Sequence, residues 1–254
     1  MPNMLNSKKK CVTTAKMPKI DVVKATDLIS VILLCDSPGY RMKSYGPTSL
    51  ISINGKKLID LQIDIIKKAF TNHEIIICAG FEIDRIIKHI KNKHRDSNIR
   101  IVENQLYNNS NSCEALRIAI NNTFNDKILI CDGSLLINHK SLSLIDTNSC
   151  CVLIEKTPSN NLEIGANIDE NNTVQHFSYG AHSIWSEIFF MSNENIIDEC
   201  RKIIQSIDYK NKFIFEAINE LIINKYNIKA IRNDNTIEKI NDIKTYHAFK
   251  GNSK

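Results

Sequence analysis

VILLCDSPGYRMKSYGPTSL, residues 31–50, carries the strongest structural signal in the chain. Its first five residues are an unbroken apolar run, which is typical of a strand buried on both faces of a parallel sheet. Residues 36–41 follow as a turn with small residues, one glycine and one arginine. A loop of this kind after a first strand often presents backbone N–H groups to phosphates. The same residues also suit an ordinary strand-to-helix loop, so two interpretations stay open.

Apolar runs alternate with helical spacings through the first half of the chain. The predicted strands are residues 31–35, 75–78, 99–102 and 128–131. The predicted helices are marked by Leu58, Leu61, Ile65 and Ala69, then by Ile83, Ile86, Ile87 and Ile90, then by Cys113, Leu116 and Ile120. This alternation predicts an α/β fold with a mainly parallel sheet flanked by helices.

The pattern changes after Cys150 and predicts an antiparallel extension in the second half. We expect strands at residues 150–155, 184–191 and 228–231, a hairpin of 163–168 with 174–178, helices at 193–207 and 213–225, and a closing helix. No repeat or linker divides these elements. We therefore predict one domain, residues 28–254, preceded by a basic arm, residues 1–27.

Charge, cysteine pattern and hydropathy indicate which partners and which cellular location to expect. The 254 residues carry a net charge of +5 with scattered Lys and Arg, which does not indicate specific nucleic-acid binding. There is no CxxC motif, and Cys35, Cys78, Cys131, Cys150 and Cys151 lie in apolar runs, so we expect buried reduced thiols. No apolar stretch suits a membrane span or a signal peptide. We expect no membrane partner and a cytoplasmic or virion location.

Three segments resemble the nucleotidyltransferases that act on sugar phosphates and phosphocholine, whose signature is LAAGxGxRM…PKxLlpvxGkPlI. They are LCDSPGYRM (34–42), PTSL (47–50) and NGKKLI (54–59), and ENQLY (103–107) with Asn111 is similar to the family's NPxYxxxN pattern. The resemblance implies a GT-A-like, nucleotide-diphospho-sugar transferase fold. It implies nucleotide contacts at Leu34, Asp36, Ser37, Gly39, Arg41, Asn104, Asn111 and Asp132.

Three charged positions of that family are neutral in this chain. Thr48 replaces the lysine of the PK pair, while Ser134 and Asn241 replace the two metal-binding aspartates. Nucleotidyl transfer needs a cation and a divalent metal held by carboxylates, so no residue is a confident catalytic candidate. Asp36 and Asp132, at the ends of two strands expected to be neighbours, are the remaining candidates for a displaced Mg²⁺.

Three functions are compatible with these observations. The one we predict is a degenerate nucleotidyltransferase that serves as a structural or assembly component and contacts other protein chains through residues 1–27. The richness in Ile, Asn and Lys suggests an AT-rich genome, which a phage or virus particle would suit. The alternatives are an active enzyme that uses Mg²⁺ and a nucleoside triphosphate to modify a sugar phosphate or phosphocholine-like acceptor, and a nucleotide sensor without turnover.

Other pairs of polar residues are assigned no function. Asp60 and Asp64 lie one helical turn apart, which usually indicates a solvated helix face. His176 and His182 are expected at the surface of the hairpin. Trp185 is interpreted as a packing residue.

Overall fold

The computed structural model describes residues 28–39, 42–155, 163–235, 237–240 and 242–251. Its strands are β1 (Ile29–Cys35), β2 (Ser52–Ile53), β3 (Lys56–Lys57), β4 (His73–Ala79), β5 (Ile99–Glu103), β6 (Ile128–Asp132), β7 (Leu135–Leu136), β8 (Cys151–Ile154), β9 (Ile164–Ile168), β10 (Val174–Tyr179), β11 (Ser183–Met191), β12 (Lys229–Arg232) and β13 (Glu238–Lys239). Its helices are α1 (Leu58–Ala69), α2 (Ile83–Lys93), α3 (Ser112–Ile120), α4 (His139–Leu142), α5 (Glu194–Gln205), α6 (Ile214–Ile223) and α7 (Ile243–Gly251).

Four parallel strands form one side of the main sheet, in the order β5-β4-β1-β6 with β5 at the edge. In this register Leu34 of β1 lies beside Cys78 of β4 on one side and Asp132 of β6 on the other. The carboxyl ends of these strands therefore meet at one edge of the sheet.

The second half of the chain adds the antiparallel extension. Strand β11 runs antiparallel to β6 and also pairs with β8 and β9, while β10 continues beyond β9 and β12 runs parallel to β8. The predicted α/β class, with a mainly parallel central sheet and an antiparallel extension, is confirmed.

From Val31 to Cys35, strand β1 is apolar because both of its faces are covered. Val31 and Leu33 pack in a core with residues of α1 and α2. Ile32 and Leu34 point to the opposite core, which contains residues of α3, α5 and α6. Alternate side chains of a strand face opposite sides of a sheet, so two hydrophobic cores require an unbroken apolar run.

The predicted face of α1 was displaced by one residue. Ile59, Ile63 and Ile66 are fully buried against the sheet, whereas Leu61 and Ile65 are only partly buried. Helix α1 contains two overlapping apolar stripes with helical spacing, and periodicity cannot rank them.

The prediction of a solvated face at Asp60 and Asp64 is wrong for Asp60. Its carboxylate is buried because the imidazoles of His89 and His94 contact it, and both come from the region of α2. Asp64 remains about half exposed, 3.8 Å from Lys56.

The other unassigned residues behave as predicted. His176 and His182 lie at the surface, where both contact Asn167. Trp185 packs edge-on against Phe177 with ring centroids 5.2 Å apart. Every described cysteine is buried and free of disulfides, as expected for the apolar runs. Among the described helices, none is long and apolar enough to cross a membrane.

A small third core connects the segment after β1 to the end of the chain. Met42, Ile51 and Leu58 pack with Ile240 and Tyr246. This packing places the two-residue strand β13 beside β7, with Lys239 opposite Leu135. The sequence analysis did not anticipate β7, β13 or this core.

Candidate functional site at the carboxyl ends of the parallel strands

Asp36, Asn104 and Asp132 come together at the carboxyl edge of the sheet, as the strand assignments predicted. The Nδ2 of Asn104 donates a hydrogen bond of 2.9 Å to Oδ2 of Asp36. Asn104 is fully buried, and its Oδ1 accepts the N–H of Leu106. The amide therefore holds the end of β1 to the loop that follows β5.

The Asp36 carboxyl group has a perturbed acidity. Burial raises the pKa of Asp36 to about 6, the hydrogen bond from Asn104 offsets part of that rise, and the nearby Asp132 carboxylate adds to it. Burial and a second carboxylate nearby thus disfavour the charged form of Asp36.

The loop after β1 is held by its own polar groups. Ser37 Oγ accepts the N–H of Gly39 at 3.2 Å, and Gly39 has a φ of +75°, which glycine adopts without strain. Thr48 is buried and donates from Oγ1 to the carbonyl of Pro38 at 3.1 Å. Thr48 thus fastens the loop at the position where the related signature has a lysine. Arg41 and Asn241 lie outside the described residues.

Asp132 is engaged on both carboxylate oxygens. Its Oδ1 accepts the N–H of Ser134 at 2.7 Å and the hydroxyl of Ser134 at 2.5 Å. Its Oδ2 lies 3.9 Å from the ammonium of Lys239. Lys239 also forms an ion pair with Glu187. Asp132, Glu187 and Lys239, which we call the lysine-centred triad, therefore form a cluster with its own internal cation.

The triad shifts the acidity of its members. Burial alone would lower the pKa of Lys239, but the carboxylates of Asp132 and Glu187 raise it, so the ammonium stays charged. Burial raises the pKa of Glu187, Lys239 opposes that rise, and Asp132 reinforces it. One ammonium thus lies between two carboxylates at the edge of the crevice and offsets one of their two negative charges.

An irregularity in β11 directs Glu187 into this cluster. Glu187 has a φ of +54°, and the pairing of β11 with β8 shifts register between Trp185 and Phe189. Bulges of this kind re-aim side chains near functional sites, and a left-handed non-glycine residue costs conformational energy. The Glu187–Lys239 ion pair therefore coincides with local backbone strain.

These surroundings do not suit a magnesium ion between Asp36 and Asp132. Mg²⁺ requires near-octahedral oxygen ligands that are free to bind it. Asp132 is instead occupied by Ser134 and faces an ammonium, while Asp36 is bonded to Asn104. An ammonium therefore already lies against Asp132, one of the two carboxylates that such a metal would need.

The remaining site residue and an aromatic cluster lie further along the edge. Asn111 donates from Nδ2 to the carbonyl of Asn211 at 2.7 Å, so its amide connects α3 to the loop before α6. Tyr179 packs edge-on against Phe215 at 5.9 Å, and Phe215 stacks on Phe213 at 6.1 Å. Tyr179 and Phe213 are both substantially exposed.

Lys239 and Glu187 were missed as site residues. Lys239 lies two positions before Asn241, the residue that the resemblance matches to a metal ligand. The resemblance therefore indicates the right segment but assigns no role to Lys239. Nothing in the sequence around Glu187 indicates that β11 is irregular at that point.

The fold described above matches those of several solved structures. The chain has the nucleotidyltransferase fold. It is similar to the CTP:phosphocholine cytidylyltransferase of Streptococcus pneumoniae, with a TM-score of 0.71 and 16% identity. That match covers 89% of this chain and 99% of the other. It is also similar to the inositol-1-phosphate CTP transferase of T. maritima, with a TM-score of 0.73 and 10% identity. That match covers 88% of this chain and 94% of the other. A third similar structure is a UDP-glucose pyrophosphorylase complexed with UDP-glucose, with a TM-score of 0.68 and 12% identity. That match covers 89% of this chain and 98% of the other.

The sequence also matches one protein family. Residues 51–189 match the family described as Domain of unknown function (DUF6564), and because this is more than half of the chain, the chain belongs to that family. No curated protein matches the sequence itself.

Proposed function

We propose that this chain is a nucleotidyltransferase-like protein that has lost metal-dependent nucleotidyl transfer and serves as a structural or assembly component. The lysine-centred triad is the observation that carries the first half of this proposal. Lys239 lies 3.9 Å from Asp132 and pairs with Glu187, so the two carboxylates already share a cation that a divalent ion would have to displace. Transfer to or from a triphosphate without that metal forfeits the strongest stabilisation of the developing charge.

Thr48 supports the same conclusion from the other side of the crevice. Its hydroxyl is committed to the Pro38 carbonyl and carries no charge that could stabilise a triphosphate. Removing a single charge-stabilising group costs about 10²–10³ in rate. We expect the combined loss to place turnover far below the roughly 10 per second that is usual for enzymes.

The decisive assay measures pyrophosphate release from CTP, UTP, GTP and ATP with Mg²⁺ or Mn²⁺. The acceptors are phosphocholine, inositol 1-phosphate and glucose 1-phosphate, which the names of three structural relatives contain. We expect no turnover above background. A rate of ordinary enzymatic size would contradict the proposal.

The internal cation can be tested directly with Lys239→Met. Without the ammonium, Asp132 and Glu187 repel one another and become available to a metal, so Mn²⁺ affinity should rise by at least about tenfold. Electron paramagnetic resonance of free Mn²⁺ measures that affinity. The exposed Lys68→Met is the matched control, and adding Asp132→Asn to Lys239→Met should remove the gain. Equal Mn²⁺ binding in wild type and Lys239→Met would mean that Lys239 does not substitute for a metal.

A second candidate is an active transferase, in which Lys239 itself would supply the cation that faces the phosphates. The observation in its favour is the ammonium at the crevice edge, which remains charged between its two carboxylates. This function predicts nucleotide-dependent pyrophosphate release that Lys239→Met abolishes. The assay above therefore separates the two candidates.

The assembly role rests on the basic character of residues 1–27. This segment contains Lys8, Lys9 and Lys10 as a run, with three more lysines, against only Asp21 and Asp27. A basic segment gains favourable contacts on an acidic protein surface, which offset the entropy lost on ordering. We propose that residues 1–27 contact another polypeptide, and that the setting is a phage or virus particle.

A further inference from the structure

Asp60, His89 and His94 form a second polar cluster, which we call the Asp–His–His cluster. The Nε2 atoms of His89 and His94 each lie 2.7 Å from the same oxygen, Oδ1 of Asp60. The three candidate ligand atoms all lie within 4.8 Å of one another. None of these side chains takes part in the hydrogen bonds of the crevice described above.

Burial sets this cluster apart from ordinary surface ion pairs. Asp60 is 7% exposed and His94 is 9% exposed. Ionisable side chains are rarely buried to this degree unless they are paired or coordinate a metal. Two imidazoles on one carboxylate oxygen are more than the pairing of a single buried charge requires.

The backbone that carries the cluster is rigid. Asp60 belongs to the first turn of α1, His89 lies within α2, and His94 immediately follows α2. Both helices bury isoleucines in the same core of the sheet, including Ile59 in α1 and Ile90 in α2. Ligands on packed helices are held more precisely than ligands on loops.

A route from solvent reaches the cluster through His89, whose side chain is 22% exposed. His89 lines an open cavity of about 360 Å³ together with Leu50, Lys57, Arg85, Lys88 and Asn92. The cavity can admit an ion and is large enough for a water molecule beside it.

We propose that Asp60, His89 and His94 bind a divalent transition-metal ion of the zinc class, with a water molecule from the cavity as the fourth ligand. Two imidazole nitrogens and one carboxylate oxygen form a donor set that suits Zn²⁺ and its neighbours, and not Mg²⁺, which prefers oxygen ligands. Three protein ligands with one open position are typical of solvent-accessible zinc sites.

Only side-chain movement is needed to form the site. Bonds of about 2.0–2.1 Å in a tetrahedron place ligand atoms about 3.4 Å apart, so each Nε2 has to withdraw from Oδ1 by about 0.7 Å. His89 faces the cavity and has room to rotate. The hydrogen that each Nε2 shares with Asp60 moves to Nδ1, which leaves Nε2 free to bind the ion.

The charges around the cavity affect the affinity. Lys57, Arg85 and Lys88 line the same cavity and oppose the approach of a cation, while they favour a hydroxide or another anion at the open position. We therefore expect micromolar rather than picomolar zinc binding.

The test is calorimetric titration of the full chain with Zn²⁺, and with Co²⁺ monitored by its visible absorption. We expect one ion per chain, and a loss of affinity of more than about 100-fold in His89→Gln and Asp60→Asn. His139→Gln, at an exposed histidine of α4, is the matched control and should bind as wild type does. The tetrahedral absorption of Co²⁺ should disappear in the two cluster variants.

Folding has to be separated from binding in these variants. Asp60→Asn removes a buried charge and can unfold the domain, whereas His89→Gln changes the most exposed member and retains a polar side chain. Circular dichroism and the melting temperature are therefore recorded for each variant, and His89→Gln decides if Asp60→Asn does not fold. Wild-type chain that binds no zinc, or a folded His89→Gln that binds it equally well, would overturn the proposal and leave the cluster a purely structural set of hydrogen bonds.

Discussion

At the residue scale, Asp36 shows how a position in the fold changes the chemistry of a side chain. It follows the central strand and lies beneath the crevice edge, where water cannot stabilise its charge. Burial raises the pKa of Asp36 from an ordinary 3.8 to about 6. The folded chain consequently holds a proton on Asp36 that the unfolded chain has already released between about pH 4 and pH 6.

This difference in bound protons predicts how the free energy of unfolding changes with pH. The folded state binds more protons in that window, so the contribution of Asp36 to the free energy of unfolding falls as pH rises through it. At pH 7.5 the ionised group costs about 3 kcal/mol, at 1.36 kcal/mol per pKa unit. We expect Asp36→Asn to raise the free energy of unfolding by about 2–3 kcal/mol at pH 7.5, and by about a third of that at pH 4.5.

Urea denaturation at both pH values measures this gain. Asp84→Asn, at an exposed aspartate in α2, is the control for a general charge effect. A stabilisation that does not change with pH would show that hydrogen bonding by Asn104, rather than burial, dominates at Asp36.

At the element scale, the carboxyl ends of β1 and β6 approach closely at Gly133. The N–H of Gly133 donates to the carbonyl of Leu34 at 2.8 Å. A Cβ on Gly133 would lie 2.4 Å from Sγ of Cys35 and 2.6 Å from the Leu34 carbonyl oxygen. This contact keeps Asp132 beside Asp36 and permits no side chain.

We therefore expect Gly133→Ala to lower the free energy of unfolding by about 1–3 kcal/mol through overpacking. Gly55→Ala is the comparison, because Gly55 has a φ of +81° with open space around it and tests backbone strain alone, at about 1 kcal/mol. Chemical denaturation of both variants separates the two causes. If Gly133→Ala costs no more than Gly55→Ala, the strand ends separate easily and the crevice is not rigid.

Apolar periodicity predicts the long strands and helices but not the two-residue strands. Every predicted strand and helix of the first half is present within a few residues of its expected bounds, because buried parallel strands and amphipathic helices leave strong apolar periods. The two-residue strands β7 and β13 leave no such period. Their pairing depends on the third core around Ile240, which forms only when the two ends of the domain meet.

At the scale of the whole molecule, residues 1–27 test the assembly role. Residues 1–27 precede β1, and their sequence has no apolar period of the kind that builds the core. We expect deletion of residues 1–27 to shift the melting temperature by less than about 2 °C, which is the change expected for less than 1 kcal/mol in a chain of this size. The same deletion should abolish co-sedimentation with the high-molecular-mass assembly of the native source.

Replacing Lys8, Lys9 and Lys10 with serine in the full-length chain is the matched control, because it changes charge without shortening the chain. It should weaken the same co-sedimentation and leave melting unaffected. A fall of many degrees on deletion would show that residues 1–27 belong to the fold of this domain, and unchanged co-sedimentation would remove the assembly role.

The sequence by itself determined the fold class and the crevice edge, because these depend on apolar periods along the chain. That Thr48, Ser134 and Asn241 replace charged residues of the related signature stays a prediction. The sequence brought Asp36, Asn104 and Asp132 together correctly, since parallel strands end at one edge. Only the tertiary structure decided which cation lies at that edge and which carboxylates are buried. Lys239 reaches Asp132 from 107 positions along the chain, and His94 reaches Asp60 across 34. Contacts over such separations follow from how helices and strands pack, and no local pattern records them.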